Sequence, residues 1–138
     1  MINEFKVIVS GFVFNSKGEL LVIRRALDEE TFPGMLAIPG GTVEVTENSG
    51  LQNDTIEENL IREVEEETGV TVTVGRWLES SAIAKDKAKL YLFFECQATQ
   101  DVTPVTSSET PEAFWIDPAN LNLDECTPSL KQYATAQR

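Results

Sequence analysis

Histidine is absent from this chain of 138 residues. That removes Ser-His and Cys-His triads, histidine acid–base chemistry and every metal site that needs imidazole. Cysteine is scarce. Cys96 and Cys126 are too few for a thiolate zinc site or a secreted disulfide framework, and a reducing compartment is the simpler setting. Bases are few as well, 11 against 23 acids, for a net charge of −12. Such a surface repels nucleic-acid backbones and anionic membranes, so neither is expected as a partner. No apolar run approaches the roughly 18 residues of a spanning helix. The start, Met1-Ile-Asn-Glu-Phe-Lys6, has none of a signal peptide's parts, and a cytoplasmic protein is the expectation. The chemistry that remains must run on carboxylates, with a hard divalent cation as the natural helper.

The hydrophobic share of 41% is enough for a core, and the length suits a single domain over residues 1–138. From Phe5 to Phe14 apolar and β-branched residues run almost unbroken, Asn15-Ser-Lys-Gly18 reads as a turn, and Leu20–Ile23 resumes the pattern. This predicts a buried hairpin. Residues 26–35 read as a loop, Leu36-Ala-Ile38 as a short apolar piece ending at Pro39-Gly40-Gly41, and Thr42 to Asn53 as a second loop. Asp54 or Thr55 is a suitable N-cap for a helix running to about Thr68, with Gly69 as its C′ residue. Val70–Val74, Trp77–Ile83, Leu90–Cys96 and Ala113–Ile116 read as strands, and Pro128 opens a C-terminal helix. The order predicts an α+β domain with a mixed sheet between helices.

In the first helix Ile56, Leu60 and Val64 form one stripe at about 100° per residue, with Ile61 beside it. Glu63, Glu66 and Glu67 stand at i, i+3 and i+4 and form a second stripe next to that core face. A charge-rich helix face is most often simply solvated. Here Arg62 is the helix's one base, and like charges at this spacing cost a few tenths of a kcal/mol, roughly, per pair. A self-repelling cluster beside the core suggests a bound cation, and all-oxygen ligands point to Mg²⁺ or Mn²⁺. By spacing alone the two readings stand level.

Gly41, then Arg62-Glu63-Val64-Glu65-Glu66-Glu67-Thr68-Gly69-Val70, resembles the Nudix box, Gly-x5-Glu-x7-Arg-Glu-U-x-Glu-Glu-x-Gly-U, where U is aliphatic. Pro39-Gly40-Gly41-Thr-Val-Glu44 is similar to the Gly-Gly loop that opens the box. The right half matches at every defined position. On the left, Gly41 and Arg62 stand 21 residues apart where the box has 14, so seven residues are inserted between Glu44 and Asn53. Counting back from Arg62 places Asp54 where the family has Glu; Asp54 is expected to accept hydrogen bonds from Arg62.

The resemblance to the Nudix (MutT-like) hydrolases implies a Nudix-type α/β/α sandwich with a mixed β-sheet. It implies metal-dependent hydrolysis of the pyrophosphate bond in a small-molecule nucleotide, a nucleoside triphosphate or an ADP-sugar-like compound. Carried over by position, Glu63, Glu66 and Glu67 would hold the metal, Mg²⁺ with Mn²⁺ as a substitute, and a backbone carbonyl of Gly40 or Gly41 would add an oxygen. Arg62 would steer the carboxylates through its rigid fork. Many members add a later carboxylate as base or extra ligand; Glu109 is chosen here over Glu112. Strand alternation lets only one of Arg24 and Arg25 reach substrate phosphate; Arg25 is assigned, together with Gly40 and Gly41. Phe12, Phe32, Tyr91 and Phe94 include candidates to stack a base, but strand aromatics are more often core. Cys96 reads as a small buried hydrophobe.

Three other readings compete: an unrelated small diphosphate substrate such as a sugar or isoprenoid precursor, a catalytically inactive Nudix-fold nucleotide sensor, and an acidic interaction domain. A homodimer is left open. The inserted residues near the metal mouth form either a lid or a passive surface loop, the latter being the default.

Overall fold

The computed structural model describes residues 1–137. One mixed sheet is organised around β1 (Lys6–Phe14). Along its whole length one edge of β1 pairs in parallel with β6 (Lys89–Ala98), and β6 pairs antiparallel with β5 (Val72–Ile83). The other edge of β1 is forked. Ile8–Ser10 take β4 (Gly40–Thr42), whereas Phe14 takes Leu20 of β2 (Leu20–Arg24). Strand β2 carries β7 (Glu112–Ile116) along one edge and meets β3 (Leu36–Ala37) at Ile23 and Arg24 on the other. Residues 36–42 therefore cross the fork, from the edge of β2 to the edge of β1.

Side-chain alternation sends the two faces of this sheet into separate cores. Val9, Val13 and Leu21 pack with Leu60 and Val64 of helix α1 (Thr55–Thr68). Phe12, Leu20 and Val22 pack with Leu130 and Ala134 of helix α2 (Pro128–Ala136). The sheet is thus sandwiched between helices, the expected α+β arrangement. Among the described residues no helix is long and apolar enough to cross a membrane.

Several local expectations need correction. The turn at Asn15 is tight, its Oδ1 accepting from the N–H groups of Lys17 and Glu19 at 3.0 and 2.9 Å. Beyond Phe14–Leu20, however, the hairpin strands part, because residues 36–42 enter between them, β4 pairing with β1 and β3 with β2. Gly40–Thr42 is a short strand and not part of the loop expected there. The two pieces expected at Val70–Val74 and Trp77–Ile83 are one strand that starts at Val72, with register shifts around Trp77. Asp54 is the N-cap residue of α1, but at φ 54° it lies in the left-handed region and its side chain caps nothing. Gly69 ends the helix as expected, at φ 72°, its N–H donating to Glu65 O at 2.8 Å.

Candidate active site

The fork between β4 and β2 opens into a cleft of about 400 Å³, within the usual range for small-molecule sites. Its floor is Ile8 and Ser10 of β1, Ile23, and the crossing segment from Ala37 to Thr42; Glu63 and Glu67 of α1 form one wall. Strand β4 can lie this close to both neighbours because Gly41 faces the helix and Gly40 faces β1. A Cβ on Gly41 would come within 2.6 Å of Glu63 Oε2, and one on Gly40 within 2.8 Å of Ser10 Cα. The N–H of Gly40 donates to Glu67 Oε1 at 3.1 Å, which fixes that carboxylate over the strand.

Burial and mutual repulsion govern the electrostatics of this wall. Desolvation pushes the Glu67 carboxyl up to about 8; the Gly40 N–H opposes this, Glu63 adds to it, and Arg25 opposes it. Glu63 is also raised, first by burial, with the Arg62 hydrogen bond opposing and Glu66 and Glu44 adding. Two crowded carboxylates that protein has stripped of water, with backbone oxygens beside them and no imidazole anywhere, suit a hard divalent cation. Glu66 stands apart. It is not among the residues lining the cleft, its side chain is 61% exposed, and Arg62 Nε lies 3.7 Å from it. Among the described residues no three carboxylates form a ready-made metal cluster.

Arg62 meets a partner that the sequence reading missed. Its Nη2 donates to Asn59 Oδ1 at 2.9 Å and lies 3.3 Å from Glu63 Oε1. Asn59 is buried and fully used: Oδ1 also accepts from Glu44 N at 2.9 Å, and Nδ2 donates to Glu44 O and Thr55 O at 2.9 and 2.8 Å. Asn59 thus ties the end of the Gly-Gly loop to the arginine, in place of the contact expected from Asp54. The available signal was an amide three residues before Arg62, one helical turn away and beside the core stripe.

Of the two arginines, Arg24 is structural. Its guanidinium reaches Glu112, Glu125 and the carbonyl of Gly34 at 3.0, 3.2 and 3.0 Å. Arg25 lines the cleft, with Nε donating to Thr31 O at 2.7 Å and Nη2 to Glu29 at 3.2 Å. Glu112 pairs with Arg24, while Glu109 is exposed at the cleft next to buried Thr110. Of the aromatics, Phe12 is core, packed 4.5 Å from Tyr133, and Phe94 packs against the other core. Phe32 and Tyr91 line the cleft, joined by Phe93. Cys96 is buried, which pushes its thiol up to about 12 and leaves it inert. The inserted segment is an exposed loop closed by Gln52 and Ser49 on the carbonyl of Thr46, and none of residues 44–53 lines the cleft.

A mixed sheet between helices, with Glu63 and Glu67 of α1 seated at Gly41 and Gly40, suits a phosphoric-anhydride hydrolase. The NUDIX domain family model matches residues 4–136, and the chain belongs to that family. Its members act on small-molecule nucleotide substrates, generally with divalent metal ions, and this chain is a pyrophosphohydrolase. No curated protein matches it in sequence. Among solved structures it is similar to the MutT protein of Methanosarcina mazei Go1, with 21% identity, TM-score 0.72 and coverage of 99% of this chain and 97% of that one. The MutT NUDIX hydrolase of Burkholderia pseudomallei gives 18%, 0.75, and 98% of each chain. A NUDIX hydrolase of Nitrosomonas europaea gives 18%, 0.77, and 99% and 74%. At these identities the likeness is one of fold.

Proposed function

We propose that the chain hydrolyses the pyrophosphate bond of a nucleoside triphosphate or an ADP-sugar-like substrate, using Mg²⁺ with Mn²⁺ as a substitute. The observation that carries this reading is the seating of Glu63 and Glu67 directly on Gly40 and Gly41 at the wall of the cleft. A bound divalent cation supplies charge neutralisation at the phosphoryl oxygens and a more acidic attacking water. Glu63 and Glu67, with the Gly41 carbonyl, would hold it, and Glu66, one turn along on the outer side, would be a further ligand. Arg62 orients Glu63 while Asn59 fixes Arg62. Arg25 contacts substrate phosphate from the opposite wall, with Gly40 and Gly41 presenting backbone to it. Glu109 takes the proton of the attacking water as the new P–O bond forms and the bridging oxygen departs with the other phosphoryl group, as a phosphate monoester or pyrophosphate.

Chromatographic analysis of the nucleotide products across nucleotide classes, with Mg²⁺ and then with excess chelator, tests this reading. Turnover is expected on at least one nucleoside-diphosphate-linked compound and is lost with chelator. A chain that turns over none of them, or continues in full with chelator, has another function.

A further inference from the structure

We propose that Lys6 and Lys89 form a second anion subsite in the cleft. It selects substrates that carry a phosphate group at the end remote from the scissile pyrophosphate. The proposal rests on the reading of the cleft as a pyrophosphohydrolase site and narrows its substrate class.

Bases are scarce in this chain, 11 in all, yet Lys6, Arg25, Lys87 and Lys89 all line this one cleft. Two of them are already spoken for: Arg25 pairs with Glu29 at 3.2 Å, and Lys87 lies 3.9 Å from Glu30. Lys6 and Lys89 differ. Among the described residues neither has a carboxylate within 4.0 Å, in a protein with 23 acids. They are register partners across the parallel pair of β1 and β6. Like charges placed opposite one another on neighbouring strands are destabilising. Lys89 Nζ donates to Thr31 Oγ1 at 2.7 Å, which anchors it and leaves further N–H donors for a ligand.

Their placement fits the far end of an extended molecule. Alternation puts Lys6, Ile8 and Ser10 on one face of β1, and Lys89, Tyr91 and Phe93 on the matching face of β6; all six line the cleft. Gly40, whose N–H holds Glu67, is level with Ser10. Ser10 lies four residue steps along the strand from Lys6, about 13 Å at the usual rise. That span exceeds a diphosphate and suits a diphosphate followed by a sugar or nucleoside unit. The lining between is apolar, with Ile8 and half-buried Tyr91, whose ring lies 6.2 Å from that of buried Phe93. An acidic wall for a cation, an apolar stretch with Tyr91 and a pair of ammonium groups without carboxylate partners follow one another along the cleft.

The test uses matched ligands with and without the remote phosphate. Hydrolysis of coenzyme A against dephospho-coenzyme A and of NADP against NAD is measured in Mg²⁺. Binding of adenosine 3′,5′-bisphosphate and 2′,5′-bisphosphate is measured by calorimetry against adenosine 5′-phosphate. The wild type is expected to favour the phosphorylated member about tenfold or more, through KM and affinity and not through kcat. The double variant Lys6→Gln, Lys89→Gln loses that preference without changing its handling of the unphosphorylated member, and Lys6→Arg, Lys89→Arg retains it. Equal treatment of the members by wild type and Gln variant would overturn the subsite and leave the hydrolase reading standing, with the lysines as solvated surface groups. Preferential, lysine-dependent binding of a bisphosphate without hydrolysis of any compound would keep the subsite and refute the hydrolase reading.

Discussion

Replacing Glu67 by Gln is expected to lower turnover by at least about 10²-fold, comparable with the removal of one group that stabilises a charged transition state. The fold is expected to survive intact. The amide oxygen can still accept the Gly40 N–H that Glu67 Oε1 now accepts at 3.1 Å, so the shape of the wall is preserved. The substitution removes a carboxylate that burial disfavours and that Glu63 and Glu29 repel. Without divalent cation the variant should therefore melt no lower than the wild type. With saturating cation the wild type gains stability through binding and the variant gains less. Turnover within a few-fold of wild type would place the reacting phosphate elsewhere.

The substitution Gly40→Ala is expected to fail at the level of the fold. Its Cβ would run into the carbonyl oxygen of Val9 and come within 2.8 Å of Ser10 Cα. Both belong to the backbone of the central strand, which pairs with β6 along its whole length and cannot yield locally. Overpacking against backbone of this kind costs about 3 kcal/mol, or roughly 10 °C in Tm for a chain of this size. Gly18→Ala is the informative comparison: nothing stands within 4 Å of that position, and only its φ of 77° resists. There the cost is about 1 kcal/mol. Equal Tm losses at the two positions would mean that β4 is not packed on β1 as described.

What the sequence made legible follows from which interactions are local. Helix α1 and its end at Gly69 were readable because periodicity, the first-turn glutamates and a C-terminal glycine act within one or two turns. The glutamate stripe was readable for the same reason. Its division was not: Glu63 and Glu67 face the cleft and Glu66 faces outward because of where β4 passes, which depends on register between strands far apart in the chain. The entry of β3 and β4 between β2 and β1 left no local trace, so a hairpin was expected to extend well beyond its single pair. The strand at Gly40–Thr42 was hidden by its glycines, which mark a loop in isolation; here Gly41 admits a helix carboxylate and Gly40 the backbone of β1 at close range. Asp54 misled because alignment by counting found a carboxylate, whereas the inserted loop delivers its backbone in a left-handed conformation that turns the side chain away from capping. Asn59 filled the arginine's needs from one turn closer.

The central claim is that the cleft carboxylates Glu63 and Glu67 hold the divalent cation on which hydrolysis depends. The most direct measurement is Mn²⁺ binding, followed by electron paramagnetic resonance, to the wild type and to Glu63→Gln, Glu67→Gln, with circular dichroism confirming that both are folded. Saturable binding by the wild type, strengthened by a bound nucleotide and weakened at least about tenfold in the double variant, is the predicted result. Undiminished Mn²⁺ affinity in a folded double variant would contradict it.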